Sequence, residues 1–148
     1  MRLRSRTLVL TLLTFALAGC GEDSLTSAQL RARASTICAR TAAATDRIAV
    51  PNTPAQGGRF LRDGLARLRP AAAQLNALQP PSRLHARYDR AVQLARREIA
   101  LIAVYEHAIA AGEDAIDMYR RLERRLAPLL REENSAWRGL GVPACVRR

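Results

Sequence analysis

A metal centre or an acid–base pair in this chain would have to be built from its imidazoles and carboxylates, so their spacing is decisive. His85 and His107 are the two histidines, and both stand on one segment of helical apolar spacing. They lie about six turns apart, about 33 Å along a straight helix, so one chain cannot bring both to one ion. Glu98, Glu106, Glu113 and Asp117 suggest a carboxylate-bridged metal bundle. Such bundles need a Glu-x-x-His spacing on each of two helices, and neither histidine has a glutamate three positions earlier. The acids therefore read as solvated or salt-bridged, and no metal or cofactor is expected. Nucleophilic chemistry fares no better. There is no G-x-S-x-G, and no free cysteine is expected. Gly57-Gly58 lacks the lysine and hydroxyl of a phosphate-cradling loop. No enzyme is expected.

The arginines are more suggestive. Arg83, Arg87, Arg90 and Arg97 form one helical set, and Arg120, Arg121, Arg124 and Arg125, with Arg131, form another. An anion-binding face is one reading of the second set; a solvated face with partners such as Asp117 and Glu123 is the other. All 24 basic residues are arginine. That bias, with the abundant alanine, reads as a GC-rich coding sequence rather than a demand for guanidinium chemistry. Tyr88, Tyr119 and Trp137 each fall on an apolar stripe and read as core.

The N-terminus carries the most specific signal. Arg2, Arg4 and Arg6 precede an uncharged apolar run, Thr7 to Ala18, long enough for export and too short to span a bilayer comfortably. No Arg-Arg pair is present in this leader, which favours ordinary unfolded export over the twin-arginine route. Directly after the run, Leu17-Ala18-Gly19-Cys20 resembles the lipobox of bacterial lipoproteins at all four positions. The resemblance implies that Cys20 receives a diacylglyceryl group, that the bond before it is cut, and that Cys20 becomes the first residue. One acyl chain holds a protein only marginally; two or three on Cys20 would hold it stably to a membrane surface. Residues 1–19 are then the signal peptide, 20–25 a lipidated tether, and 26–148 a helical domain. The implied location is the outer face of the cell membrane, or the outer membrane in a diderm cell, since Gly21 follows the cysteine.

Removing the leader's three arginines lowers the formal charge from +11 to +8. The excess favours anionic lipid headgroups or acidic wall polymers, with salt sensitivity. Nucleic acid is a poor partner for an exported chain with 4% aromatic residues. With Cys20 lipidated, Cys38 and Cys145 remain as an even pair in an oxidising compartment, which the resemblance thus implies are disulfide-bonded. Free buried thiols and a metal pair are the alternatives, and no CxxC or Cys/His spacing supports the latter.

These residues need elements to hold them, and the spacing predicts four helices. Thr26-Ser27-Ala28-Gln29 is a capping box, followed by Leu30, Ala34, Ile37, Thr41, Ala44 and Ile48, with Val50-Pro51-Asn52 as the stop. Thr53-Pro54-Ala55-Gln56 reads as a second capping box. Gly57-Gly58 predicts irregularity before Arg59; the stripe is Leu61, Leu65, Leu68, Ala72 and Leu75, and Pro70 predicts a kink or split. The third segment, Arg83 to Ala111, carries Leu84, Tyr88, Ala91/Val92, Ala95, Ile99, Ile102 and Ile109, with Gly112 as its stop. The fourth carries Ile116, Tyr119, Leu122, Leu126, Leu129/Leu130, Trp137 and Leu140, with Asp117–Arg121 as a one-turn ion pair and a bend at Pro128.

The expected fold is all-α, an up-down four-helix bundle with the C-terminal tail bridged to the first helix. Leu75-x-x-Leu78-x-Pro80-Pro81, Ala111-Gly112-Glu113 and Leu140-Gly141-x-x-x-Cys145 resemble many small exported helical proteins of actinobacteria. That resemblance implies fold and compartment and no activity. The function expected is non-catalytic binding or envelope scaffolding by a lipid-anchored protein whose protein partner is unknown. A small-ligand or metal carrier using the bundle interior, and an anionic-lipid or wall-polymer binder using Arg120, Arg121, Arg124 and Arg125, are the alternatives.

Overall fold

A computed structural model describes residues 24–147; the leader, Cys20 and most of the tether lie outside the described residues. Four helices follow in order: α1 Ser27–Thr45, α2 Gly57–Asn76, α3 His85–Ala110 and α4 Ala115–Leu140. Consecutive helices pack on one another, and α1 also packs on a short 3₁₀ turn, Pro143–Cys145, that follows α4. The all-α bundle is what the periodicity predicts, and the bridge from its tail to the first helix is the pairing expected of Cys38 and Cys145.

The ends of the helices follow from local chemistry. Thr26 and Gln29 cap α1 reciprocally, Gln29 N donating to Thr26 Oγ1 at 3.2 Å and Thr26 N to Gln29 Oε1 at 2.9 Å. Leu25 and Leu30 stand at the two positions of a hydrophobic staple, and both are buried in the same cluster. Gly112 and Gly141 have φ of 98° and 72°, the left-handed conformation that only glycine adopts cheaply. They end α3 and α4 in the same motif, with Glu113 N donating to Ala108 O and Val142 N to Trp137 O.

The chain departs from the sequence reading at Thr53, at Gly57-Gly58 and at Ile116. Thr53 makes no side-chain cap, because Pro54–Gln56 forms a 3₁₀ turn and the Gln56 side chain accepts from Asn52 N instead. The helix after it starts regularly at Gly57, since the two glycines are packing positions rather than breakers. Tyr119 lies against Gly57 and donates from its hydroxyl to Gly57 O at 2.9 Å, while Ile109 packs against Gly58. Of the kink or split expected at Pro70 the split does not occur, and α4 is continuous through Pro128. Both prolines, and Ala66 and Arg124 one turn before them, are exposed, so water can reach the carbonyls that lose a donor. Finally, Ile116 is 47% exposed and Ala115 and Met118 take its place in the core.

The glycine packing gives a paired prediction. A Cβ on Gly57 would lie 2.6 Å from Tyr119 Cε2, whereas one on Gly64 meets nothing within 4 Å. Gly57→Ala should therefore cost about 1–3 kcal/mol by overpacking, although alanine is the better helix former. Gly64→Ala should stabilise by up to about 1 kcal/mol. Urea unfolding midpoints of the two variants measure both signs.

Two apolar clusters divide the interior. The first gathers Leu30, Ala34 and Ile37 of α1 with Leu75, Tyr88, Trp137, Leu140 and Val142, and so involves all four helices and the tail. The second gathers Leu61, Leu65 and Leu68 with Ile102, Tyr105, Met118 and Leu122, and contains no α1 residue. The molecule is therefore a four-helix bundle at one end and a three-helix bundle at the other. Only the first half of α1 is buried; Thr41, Ala44 and Ile48 are half-buried. That thinning of the first layer opens the interior where the two clusters meet.

Candidate functional site

The seam between the clusters is polar. On α3, Glu98 falls between the first-cluster residues Tyr88, Ala91 and Val92 and the second-cluster residues Ile102 and Tyr105. On α4, Glu133 falls between Leu122 and Trp137 in the same way. Each is 2% exposed. Isolated charges at such depth are costly, so their partners decide what the site is.

Each carboxylate is satisfied at one oxygen only. Glu98 Oε1 meets Arg147 Nη1 at 3.0 Å, and Glu133 Oε1 accepts from Trp137 Nε1 at 3.2 Å. Both Oε2 atoms are buried without a hydrogen-bond partner. Burial pushes the Glu98 carboxyl up to about 8, opposed by the Arg147 guanidinium and reinforced by repulsion from Glu133 and by the hydrogen bond that protonated Glu98 makes to it. Glu98 thus holds a proton where an ordinary glutamate has lost it, and Arg147 supplies the one positive charge beside it.

The tail that delivers Arg147 is fixed at three points. Cys38 of α1 and Cys145 are disulfide-bonded with Cα atoms 5.0 Å apart. Asn134 Nδ2 donates to Arg147 O at 2.9 Å, and Arg147 N donates to Asn134 Oδ1 at 2.8 Å. The third point is the ion pair with Glu98. At the turn between α4 and the tail, Arg31 Nε donates to Leu140 O at 2.8 Å, tying α1 to the same corner.

Against this corner lies a cleft of about 730 Å³, within the range of small-molecule sites. The loosely covered end of α1, from Thr41 to Asp46, borders one side and the disulfide and Arg147 another. Leucine and alanine of α2, with Ala95 and Ile99 of α3, form an apolar wall, and Glu133 and Trp137 line it from α4. An apolar hollow with a few converging polar groups is the form such sites take.

Other sequence-predicted positions fall elsewhere. Cys20 lies outside the described residues. Arg120, Arg121, Arg124 and Arg125 are all exposed on α4, on the half that packs against the second cluster, and none lines the cleft. Asp117 pairs with Arg120 at 3.9 Å, one residue earlier than the predicted Arg121. His85 begins α3 and His107 stands in its last turn, so they are as far apart as their spacing requires. Glu106 is ion-paired with Arg62 at 3.0 Å, in keeping with the salt-bridge reading. Glu98 is also ion-paired, but it is buried where solvation is one expectation, and Glu133 has no counterpart among the predicted site residues. Among the described residues no group of three or more His, Cys, Asp or Glu side chains is placed to hold a metal ion. No helix among those residues is long and apolar enough to cross a membrane. Comparison with protein-family models, curated proteins and solved structures finds no match.

Proposed function

We propose that this chain is a lipid-anchored, extracytoplasmic binding protein, without catalytic activity, whose ligand is a small molecule seated in the interior cleft. The observation that carries the reading is a pair of buried carboxyl groups, each with an unpartnered oxygen, of which Glu133 lines an apolar hollow. Natural interiors leave few such atoms unpaired, and those that persist call for a functional account. Envelope scaffolding alone would not require them. The leader pattern and Leu17-Ala18-Gly19-Cys20 support the anchor, which would hold the domain at the membrane surface through a short tether.

Trp137 is the single tryptophan and lines the cleft, so its fluorescence reports occupancy. Small-molecule fragments that shift its emission should lose their effect in Ala42→Phe, which puts a ring at the mouth from an exposed position. Undiminished binding by that variant would place the ligand elsewhere. The anchor is tested separately: Cys20→Ser should move the full chain from the membrane fraction to the soluble one.

The exposed arginines of α4 favour a second, compatible reading. Among the described residues only Arg120 of the four has a carboxylate within 4.0 Å, which leaves a basic face available to anionic lipid or wall polymer. Its contribution would appear as sedimentation of the Cys20→Ser protein with phosphatidylglycerol vesicles, abolished by salt. Absence of sedimentation at low salt would remove this reading.

A further inference from the structure

We infer that the cleft takes a small organic cation, a primary ammonium on an apolar stem, with Glu133 Oε2 as its acceptor and the Glu98–Arg147 pair behind it. This rests on the reading of the cleft as a small-molecule site and names the chemical class of its ligand.

The unfilled valences at the seam are acceptors. Glu98 Oε2 and Glu133 Oε2 are both without a partner, so an occupant must bring N–H or O–H donors. Of the donors there, Trp137 Nε1 is given to Glu133 Oε1 and Arg147 Nη1 to Glu98 Oε1. An ammonium has three donors and meets this need at Glu133 Oε2, the unpartnered acceptor whose residue lines the cleft. A carboxylate or phosphate ligand would face Glu133 and Asp46 and would find Arg147 already paired. A divalent metal would have two carboxylates and an adjacent guanidinium, a poor donor set with an unfavourable charge beside it. The walls set the rest of the ligand. Leu68, Ala72, Leu75 and Ile99 offer an apolar surface, and α2 contributes no charged group to the lining.

Charge balance gives the inference a signature that burial alone would not. The charged and titratable groups around the site are Asp46 from the end of α1, Glu98 of α3, Glu133 of α4 and Arg147 of the tail. Counted formally, three carboxyl groups face one guanidinium, and the proton that burial holds on Glu98 removes one of the negative charges. An ammonium bound at Glu133 adds a positive charge that favours ionised Glu98, so the proton leaves and the net charge of the site is unchanged. Binding below the pH at which Glu98 ionises therefore releases about one proton, and affinity rises with pH up to about tenfold per unit. The raised affinity of Glu98 for its proton, midpoint about 8, places this exchange in an accessible range.

The test uses the full-length, bridge-intact Cys20→Ser protein and three probes of one shape: n-hexylammonium, 1-hexanol and hexanoate. Binding is read by Trp137 fluorescence and by calorimetry in two buffers of different ionisation enthalpy. Hexylammonium should bind with a dissociation constant below about 1 mM at pH 8, and the alcohol and the acid at least about tenfold more weakly. About one proton should be released at pH 7 and almost none at pH 9.5. Glu133→Gln should weaken hexylammonium at least about tenfold and leave hexanol unchanged. Should that variant lose its helical circular dichroism, Glu98→Gln, which fixes the protonated form, carries the same expectation. Equal binding of hexanol or hexanoate, or full retention by Glu133→Gln, overturns the cation assignment while the small-molecule reading stands. Failure of all three probes to bind overturns the cation assignment and removes support from that reading as well.

Discussion

Removing the bridge between Cys38 and Cys145 should lower the unfolding free energy by about 3–5 kcal/mol. The two cysteines are 107 positions apart, so the bridge closes nearly the whole described chain into one loop. The chain-entropy model gives about 4.7 kcal/mol for a loop of about 100 residues. The native state adds its own dependence. α1 is bound to the rest of the bundle through its contacts with α2 and with the tail, and its outer half is thinly covered. Guanidinium denaturation of the oxidised protein and of Cys38→Ala/Cys145→Ala measures the difference. The bridge-free chain should also show a steeper dependence on denaturant, because its unfolded state is more extended. A loss below about 1 kcal/mol would mean that the tail holds α1 without help from the covalent link.

The second large effect concerns pH. Glu98 carries a proton in the folded state up to about 8, whereas an unfolded glutamate releases it near 4.5. Between those values the native state binds more protons than the unfolded one, so stability falls as pH rises. The contribution is fully present below the unfolded value and is lost as pH climbs through the folded one. Each tenfold gain in proton affinity on folding corresponds to about 1.4 kcal/mol, and the Arg147 contact tempers the sum. A decline on the order of 2–4 kcal/mol between pH 5 and pH 8 is expected from this group. Glu98→Gln keeps the acceptor for Arg147 and a donor for Glu133 at every pH. Its unfolding midpoint should be higher than that of the parent protein at pH 8.5 and should fall less with pH. If the variant is the less stable of the two at pH 8.5, the neutral carboxyl is not what the fold requires.

The elements are legible in the sequence because their signals are local. The Thr26 box, the Gly112 and Gly141 stops, and the Leu61–Leu65–Leu68–Leu75 stripe each depend on residues within a turn or two. Tyr88 and Trp137 sit on their stripes and meet in the core, edge to face with centroids 5.9 Å apart. The seam is not legible, for a related reason. Ile99 satisfies the apolar period of α3 better than Glu98 does, yet it is only half-buried while Glu98 is buried. What reverses the preference is Arg147, nearly fifty positions away and delivered by a tail whose path the disulfide sets. Glu133 depends likewise on Glu98 from another helix, although its i, i+4 relation to Trp137 is a local signal. Gly57 misleads in the same manner, since its partner Tyr119 lies 62 positions away. Periodicity reports which face is apolar; it does not report which polar residue on that face finds a distant partner.

Carbon-13 detection of the Glu98 side-chain carboxyl through a titration from pH 5 to pH 9.5, with Glu98→Gln for assignment, addresses the buried proton itself. Burial predicts a proton held on Glu98 at pH 7, released near pH 8, and displaced at lower pH by hexylammonium. A Glu98 signal already fully ionised at pH 5 would contradict it, and the protonated carboxyl at the seam of the bundle would have to be abandoned.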